Sequence, residues 1–284
     1  MTSTDPQIGV GRAFREPGWL ERVAARFRSA ARRTPLWAPI KRSYEWLLVS
    51  MPASNFVSTL PGGERVRLDP AHRQLAWNLE EYRAFKAAVR PGAIVLDAGA
   101  NLGAYTVLFA QWAGASGRVY AFEPAPDCRG GLERQLAING ATENVVVRPE
   151  AIAETTGVRK FHAAGLRGDN RLGGAAGSDG DGVVVQTVSV DDFCARERIV
   201  PDVIKIDVEG AELEALRGAR RTIAAAGPAL ALFIELHPSV WPQLGITRGA
   251  VEAELAEQRL ALERIDGGGD PWSIEGVCLR ARRL

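Results

Sequence analysis

The chain has 284 residues, of which 46% are hydrophobic and 24% charged, and its formal net charge is +1. This length and composition fit a soluble globular protein with one large domain, or one domain and an extension. The near-neutral charge gives no electrostatic support for nucleic-acid binding, which uses clustered positive charge. Cys128, Cys194 and Cys278 lie far apart without metal-ligand spacing, so they favour a reducing, cytoplasmic setting.

The first 46 residues form a basic segment. Trp19, Val23 and Phe27 recur there at helical spacing among many arginines, which predicts an amphipathic helix. Such a helix typically docks its apolar stripe on its own domain or on a second copy in a homodimer. Contact with an anionic membrane surface or a lipid-linked substrate is the alternative.

The same region gives no signal for export or for a membrane span. It lacks the continuous apolar core of a secretory signal, and the uncharged stretch 46–60 is shorter than the ~20 apolar residues of a spanning helix. We therefore expect no transmembrane segment. Residues 1–54 are interpreted as a basic, partly helical extension, and residues 55–284 as the main domain.

The main domain opens with a small hairpin and a helix. Residues 56–60 and 66–68 flank Gly62-Gly63 and predict the hairpin. Residues 79–89 predict a helix, which Arg90-Pro91-Gly92 would end directly before the next strand.

The next stretch predicts a strand, a glycine turn and a helix that together approach a ligand. An apolar strand ends at Asp97, the turn carries Gly99 and Gly103, and a second strand, 119–122, ends at Glu123. That position is where a doubly wound sheet grips ribose hydroxyls. The Gly-x-Gly-x-x-Gly pattern of dinucleotide sites is absent, and Asp97 suits a positive amino group. We therefore favour S-adenosylmethionine over a dinucleotide.

The middle of the chain predicts a third strand and a long loop. A helix at 132–139 precedes a strand at 145–147, which leaves Glu150 and Ala151 beside the predicted adenine. Segments 158–162 and 183–188 have strand character. The Gly/Asp-rich loop 165–182 between them contains Asp169, Asn170 and Arg171. A loop of this length is either disordered or functional, and we interpret it as a candidate lid over an acceptor.

Two later strands end in acidic and basic side chains. Strand 203–207 is apolar except for Lys205 and leads into Asp207 and Glu209 before a helix at 211–225, while strand 230–234 leads into Glu235 and His237. Parallel strands present their carboxyl ends at one edge of the sheet, so these side chains should meet. A helix at 248–262 and strands near 260–265 and 276–282 complete a mostly parallel α/β sheet, with the last strand inserted antiparallel.

With these residues in view, the chain resembles the FkbM family of S-adenosylmethionine-dependent methyltransferases. Residues 95–106, 121–124, 204–212 and 234–237 carry the resemblance. Lys-Ile-Asp-Val-Glu-Gly-Ala-Glu, residues 205–212, is the most specific block, whereas the glycine turn is shared by many methyltransferases. The resemblance covers roughly residues 60 to 282 and leaves out the arginine-rich start.

The resemblance implies a class I methyltransferase fold, Rossmann-like, with a mostly parallel seven-stranded sheet and helices on both faces. It also implies methylation of a hydroxyl on a sugar, glycan or natural-product scaffold. The implied cofactor positions are Asp97, Gly99, Asn101, Gly103 and Glu123, and the neighbouring Ala100 and Pro124 complete the set. The acceptor itself, a small molecule or a glycan, is not encoded in a readable motif.

Position at the sheet edge predicts the catalytic groups. Methyl transfer requires removal of the hydroxyl proton, and His237 is the first candidate for that base. Glu235 would orient it, or Asp207 would replace it. Another version places Asp207, Glu209 and Glu235 around a divalent ion such as Mg²⁺. Lys205 is expected to pair with one of these acids.

Two other classes of function share part of this pattern. A nicotinamide-dependent oxidoreductase would also use Glu123 and the turn, but the missing pyrophosphate motif argues against it. A nonenzymatic S-adenosylmethionine-binding partner protein would need no acids at the other strand ends.

Overall fold

The fold was obtained as a computed structural model that describes residues 13–14, 50–162, 171–172 and 183–284. The predicted basic helix lies outside the described residues. From the first 49 residues only Ala13–Phe14 is described, as a short strand that pairs antiparallel with Trp77–Asn78. The division of the chain at residue 55 therefore stays a prediction.

Short strands and helices alternate along the main domain. The strands are β1 (Ala13–Phe14), β2 (Val57–Thr59), β3 (Arg65–Arg67), β4 (Trp77–Asn78), β5 (Ile94–Ala98), β6 (Arg118–Phe122), β7 (Val145–Arg148), β8 (Ala151–Ile152), β9 (Gly157–His162), β10 (Arg171–Leu172), β11 (Val183–Val188), β12 (Val203–Ile206), β13 (Ala231–Glu235), β14 (Leu260–Arg264) and β15 (Cys278–Arg283). The α-helices are α1 (Leu79–Ala88), α2 (Ala104–Ala113), α3 (Pro126–Asn139), α4 (Val190–Glu197), α5 (Glu212–Arg217), α6 (Arg220–Ala226) and α7 (Arg248–Glu257).

A seven-stranded sheet forms the centre, in the order β14-β15-β13-β12-β5-β6-β7. The five strands from β13 to β7 run parallel, and only β15 is antiparallel to its neighbours. The strand order reverses between β5 and β12, which is the topological switch point where such sheets bind ligands. The predicted mostly parallel sheet with an inserted antiparallel last strand is confirmed, as is the class I methyltransferase architecture.

Apolar side chains cover both faces of the sheet. Val95 of β5 packs in a cluster with Phe85 of α1 and Phe109 of α2. Leu96, the next residue, belongs to a second cluster that contains Phe193 of α4. Because successive strand residues point to opposite faces, β5 must be apolar on both sides ahead of Asp97, and the apolar run 93–96 reflects this.

The hairpin and the first helix are as predicted, while three later helices differ. Helix α3 begins at Pro126, earlier than predicted, because proline fits the first helical position. The predicted helix 211–225 is instead two helices that break at Gly218. A Cβ at that glycine would lie 2.3 Å from the Ala153 carbonyl oxygen. The predicted helix 248–262 ends at Glu257, and the segment beyond it forms β14.

A separate four-stranded sheet, in the order β10-β9-β11-β8, lies beside the central one. Its two long strands confirm the strands predicted at 158–162 and 183–188, although both lie outside the main sheet. The predicted lid residues Asp169 and Asn170 lie outside the described residues, and only the backbone of Arg171 is described. Among the described residues, no helix combines the length and apolar character that crossing a bilayer requires.

Candidate active site

The glycine turn after β5 can be built only with glycine at its two key positions. Gly99 has φ +83°, and a Cβ there would lie 1.7 Å from the backbone oxygen of Asp207. Gly103 has φ +82°, and its Cβ would lie 2.5 Å from Leu132 Cδ1. Since both positions combine left-handed backbone with a close neighbour, any side chain would displace the turn. The turn therefore brings the β5 backbone directly against the end of β12.

Glu123, at the end of β6, holds this turn in place. One carboxylate oxygen accepts a hydrogen bond from Asn101 N (2.8 Å), and the other accepts one from Ala125 N (2.9 Å). Burial raises the pKa of Glu123 to about 7, although these two backbone hydrogen bonds oppose the shift. The carboxylate still has lone pairs for a ligand, because each oxygen can accept two hydrogen bonds.

An open cleft lies between the turn and the small sheet. Its lining combines predicted cofactor residues with predicted catalytic ones: Gly99, Asn101, Phe122, Glu123, Pro124, Ala151, Ile152, Phe161, Asp207, Val208 and Glu209. Members of both sets thus share one cavity, whereas the predicted catalytic residues His237, Glu235 and Lys205 are not among its lining residues. Phe161 and Ile152 had no predicted role, because they reach the cleft through pairing of the small sheet, which a local sequence pattern does not reveal.

Four predicted cofactor residues, Asp97, Ala100, Gly103 and Glu150, are not among the residues that line the cleft. Asp97 is buried: its Oδ2 accepts a hydrogen bond from Thr106 Oγ1 (2.6 Å), while its Oδ1 makes none among the described residues. Ala100 is also buried. Glu150 forms an ion pair with Arg148 (2.6 Å). Burial raises the pKa of Asp97, while the charge of nearby Lys205 and the Thr106 hydrogen bond oppose the shift.

The predicted acids do converge at the ends of β12 and β13. His237 Nε2 lies 3.4 Å from Glu209, 3.5 Å from Glu235 and 3.8 Å from Asp207, measured to the nearest carboxylate oxygen. Lys205 Nζ lies 3.0 Å from Asp207 Oδ2 and 3.8 Å from Asp97 Oδ1. The buried ammonium thereby links the cofactor strand to the acidic cluster, and the predicted pairing of Lys205 with an acid is confirmed.

Glu212 is the member of this cluster that sequence reasoning missed. Its carboxylate is fully buried and accepts hydrogen bonds from His237 Nδ1, Gly210 N and Trp241 Nε1, each at 2.7 Å. A signal was available, because Glu212 shares a helix face with the buried Ala215 and Leu216. A carboxylate on an apolar helix face requires partners.

The carboxylates keep His237 charged. Burial alone would lower its pKa, but the hydrogen bonds to Glu212 and Glu235 outweigh that effect and raise the pKa of His237 to about 11. Burial raises the pKa of Glu209 to about 7, partly offset by the charge of His237. At neutral pH the imidazole is therefore a cation held among acids.

A profile described as "Methyltransferase FkbM domain" matches residues 97–259, more than half of the 284-residue chain. The chain belongs to the FkbM methyltransferase family. The resemblance found in the sequence is thus confirmed. The matched region runs from Asp97 past His237, so it contains both the glycine turn and the acidic cluster of this FkbM-family site.

Two curated relatives and one solved structure are also similar to this FkbM-family chain. "Methyltransferase sdnD" of Sordaria araneosa is 30% identical over 44% of this chain and 59% of its own length. "Hexuronic acid methyltransferase AglP" of Haloferax volcanii is 25% identical over 60% of this chain and 66% of its own length. A crystal structure of a methyltransferase FkbM from Methylobacillus flagellatus is 20% identical, with a TM-score of 0.43, over 71% of this chain and 50% of that one. The chain thus spans less than two thirds of either curated relative.

One group of ligand atoms in the FkbM-family site suits a divalent ion. Donor atoms of Asp207, Glu209 and His237 lie within 4.8 Å of one another. Glu212 holds Nδ1 of His237 and leaves Nε2 facing the two acids, as carboxylates do behind metal-bound histidines. Glu235, predicted as the third ligand, instead groups with Glu81 and Cys278. The residues present therefore fit a hard cation, with His237 in place of Glu235.

Proposed function

We propose that the protein transfers a methyl group from S-adenosylmethionine to a hydroxyl of a sugar, glycan or natural-product acceptor. The observation that carries this proposal is the single cleft lined by both Glu123 and the acids Asp207 and Glu209. A nucleoside held at Glu123 would have its reactive end beside these acids. The name of the hexuronic acid methyltransferase relative supports a sugar acceptor.

In this proposal the cofactor lies along the glycine turn. Glu123 accepts hydrogen bonds from the ribose hydroxyls, and Pro124, Ala151 and Phe161 form the wall around the adenine. Asp97 is buried outside the lining of the cleft, with its Oδ1 3.8 Å from Lys205 Nζ, so in this proposal it acts on the amino group of the methionine part only through its charge, without direct contact. Glu150 acts on the adenine side only indirectly, through its pair with Arg148.

Methyl transfer requires that the acceptor oxygen, the methyl group and the sulfur be aligned, and it requires one proton acceptor. The sulfonium leaves as a neutral thioether, so no acid is needed on that side, whereas the acceptor hydroxyl must lose a proton as the C–O bond forms. Asp207 is the group we favour for this role, because it lines the cleft and its Oδ2 pairs with Lys205 Nζ at 3.0 Å. His237 then orients the acids, and it acts as the base itself only after losing its own proton.

A divalent ion, when bound, would lower the pKa of a hydroxyl coordinated to it. Asp207, Glu209 and His237 are the residues that would hold it, and the pair of His237 with Glu212 fixes the orientation of the imidazole. Binding would require His237 to give up its Nε2 proton, which a cation beside two carboxylates favours.

Calorimetric titration with S-adenosylhomocysteine tests the proposal. We expect micromolar binding to the full chain, loss of that binding in Glu123→Ala, and little change in Glu143→Ala, an exposed acid remote from the cleft. NAD is the competing ligand. Binding of NAD instead of S-adenosylhomocysteine would move the protein to the nicotinamide oxidoreductases. Tight binding without methyl transfer to any of a panel of sugars and natural products would favour the nonenzymatic alternative.

A further inference from the structure

We infer that Glu81, Glu235 and Cys278 form a second, largely buried metal site beside the acidic cluster, for a divalent cation that accepts sulfur ligands, such as Zn²⁺. One ligand atom from each residue lies within 4.8 Å of the other two. This site shares no residue with the ligand group that contains His237. Binding of its ion does not depend on the proposed methyl transfer.

Three elements of the fold bring the ligands together on one face of the central sheet. Glu235, the last residue of β13, pairs directly with Cys278, the first residue of β15. Residues opposite each other in neighbouring antiparallel strands carry their side chains on the same face. Glu81 reaches this face from helix α1, whose Phe85 packs against Phe233 of β13 with ring centroids 4.9 Å apart. The ligands thus come from distant parts of the sequence, and the fold itself assembles them.

Glu81 is held in the way that metal-bound carboxylates are held. Its side chain is buried, Oε2 accepts a hydrogen bond from the Tyr105 hydroxyl (2.5 Å), and Oε1 accepts one from Cys278 N (2.9 Å). Each carboxylate oxygen can accept two such bonds, so both oxygens keep a lone pair. Hydrogen-bonded partners behind a ligating carboxylate are typical of metal sites, because they fix its orientation.

The Cys278 thiol is the observation that distinguishes a metal site from an ordinary network of acids. Cys278 is fully buried, and its sulfur forms no disulfide and no hydrogen bond within the described part of the chain. Burial raises the pKa of this thiol well above its usual value. A metal ion reverses that effect, since a thiol that ligates a metal is deprotonated. Binding therefore releases the Cys278 proton to solvent as the sulfur–metal bond forms.

The charges around the site also favour a cation. Lys205 and His237 are the positive groups nearby, but Lys205 Nζ lies 3.0 Å from Asp207, and His237 Nε2 reaches only Glu235, at 3.5 Å. Glu81 has no ion pair among the described residues. A buried carboxylate without a counter-charge is costly. The ammonium of Lys205 repels a bound ion, yet two carboxylates and one thiolate outweigh that single charge.

The ligand types select Zn²⁺ rather than Mg²⁺. Thiolate suits Zn²⁺, which also binds carboxylate oxygen, whereas Mg²⁺ takes oxygen ligands in octahedral geometry. With ligand distances of about 2.0–2.3 Å, the ligands of one Zn²⁺ lie about 3.5 Å apart, so small side-chain rotations close the group around the ion. The bound ion would tie helix α1 to β13 and β15.

Cobalt titration of the full chain tests the site. The protein is first dialysed against a chelator, and Co²⁺, the spectroscopic substitute for Zn²⁺, is then added. The measured signal is the thiolate-to-cobalt charge-transfer absorption in the near ultraviolet, which only a cysteine ligand produces. We expect this absorption to appear, to disappear when Zn²⁺ displaces Co²⁺, and to persist in excess Mg²⁺.

Cysteine variants assign the signal to its ligand. The double variant Cys128→Ser/Cys194→Ser keeps Cys278 as the only cysteine and should retain the absorption. Cys278→Ser should lose it. Glu81→Gln keeps the thiol and should weaken Co²⁺ binding at least tenfold. Glu80→Gln, at the adjacent acid outside the ligand group, is the matched control and should bind Co²⁺ like the wild type.

The outcomes that would overturn the inference are a wild type without the charge-transfer absorption and an absorption that persists in folded Cys278→Ser. Asp207→Asn should leave the signal unchanged, because Asp207 belongs to the other ligand group. Circular dichroism shows which variants fold. If Cys278→Ser does not fold, the signal of the double variant and its loss in Glu81→Gln decide the assignment. Failure here leaves the methyltransferase proposal untouched, since titration with S-adenosylhomocysteine tests that separately.

Discussion

The fully buried Glu212 and the largely buried His237 are joined by a 2.7 Å contact between Oε1 and Nδ1. The same carboxylate receives the Gly210 amide and the Trp241 indole N–H. Gly210 belongs to the turn after β12, whereas His237 and Trp241 belong to the segment after β13. Glu212 therefore holds these two segments together at the edge of the sheet where the acids converge. Its charge is stabilised only by that set of donors.

Replacing Glu212 with Gln is expected to destabilise the fold. The substitution keeps the shape but leaves the His237 cation without its closest counter-charge, and breaking a buried pair in this way costs about 3–5 kcal/mol of unfolding free energy. Urea denaturation followed by circular dichroism measures it. Glu252→Gln on the exposed face of α7 should change the stability by about 0.5 kcal/mol or less. Equal stability of the two variants would contradict the assigned role of Glu212.

Cofactor affinity is expected to depend on pH through Glu123. The pKa of Glu123 is raised to about 7, so the carboxyl is increasingly protonated as pH falls below that value. An ionised carboxylate is the stronger acceptor for ribose hydroxyls. S-adenosylhomocysteine should therefore bind more weakly at pH 6 than at pH 8. Calorimetry at both pH values on wild type and Glu123→Gln checks this, and a wild-type profile as flat as that of the variant would exclude Glu123.

Gly99→Ala should abolish cofactor binding. It should also lower the stability more than Gly114→Ala, a substitution at another glycine with positive φ. At Gly114, which also has positive φ, an added Cβ has no neighbour within 4 Å, whereas at Gly99 it would lie 1.7 Å from Asp207 O. Gly114→Ala thus measures the backbone strain alone, about 1–3 kcal/mol, because φ +66° with ψ −173° is a conformation that essentially only glycine adopts. Thermal unfolding measures the stability of both variants. A comparable loss of stability in the two would show that the close approach to Asp207 adds no cost of its own.

The residues that sequence reasoning identified are those whose role follows from local pattern. Asp97, Glu123 and Asp207 each end an apolar strand, and parallel strands bring such ends to one edge. Phe161 reaches the cleft through long-range strand pairing, so nothing nearby in the sequence distinguishes it. The close approach at Gly218 is equally invisible in the local sequence, since the Ala153 carbonyl oxygen that a side chain there would meet is far away along the chain.

Asp207→Asn tests the proposed base. The amide keeps the size of the side chain but cannot accept the hydroxyl proton, so methyl transfer should fall by about 10²–10⁴-fold. Binding of S-adenosylhomocysteine should remain within a few-fold. A radiolabel transfer assay with the acceptor that the panel identifies measures the rate. His237→Gln should lower it less if the imidazole only orients the acids. A larger loss from His237→Gln than from Asp207→Asn would transfer the base role to His237.

Divalent-ion binding tests whether the site works with a bound metal ion or with the carboxylate base alone. Donor atoms of Asp207, Glu209 and His237 lie within 4.8 Å of one another, and hard oxygen ligands with one imidazole suit Mg²⁺ or Mn²⁺. We expect the full chain to bind Mn²⁺, detected as loss of the free-ion signal in electron paramagnetic resonance. Asp207→Asn and His237→Gln should each weaken that binding at least tenfold. Glu275→Gln, an acid on the β14–β15 connection outside this group, is the control. If Mn²⁺ does not bind and a chelator leaves methyl transfer unchanged, the carboxylate base acts without a metal. Asp207 and Glu209 then form a purely ionic cluster with His237.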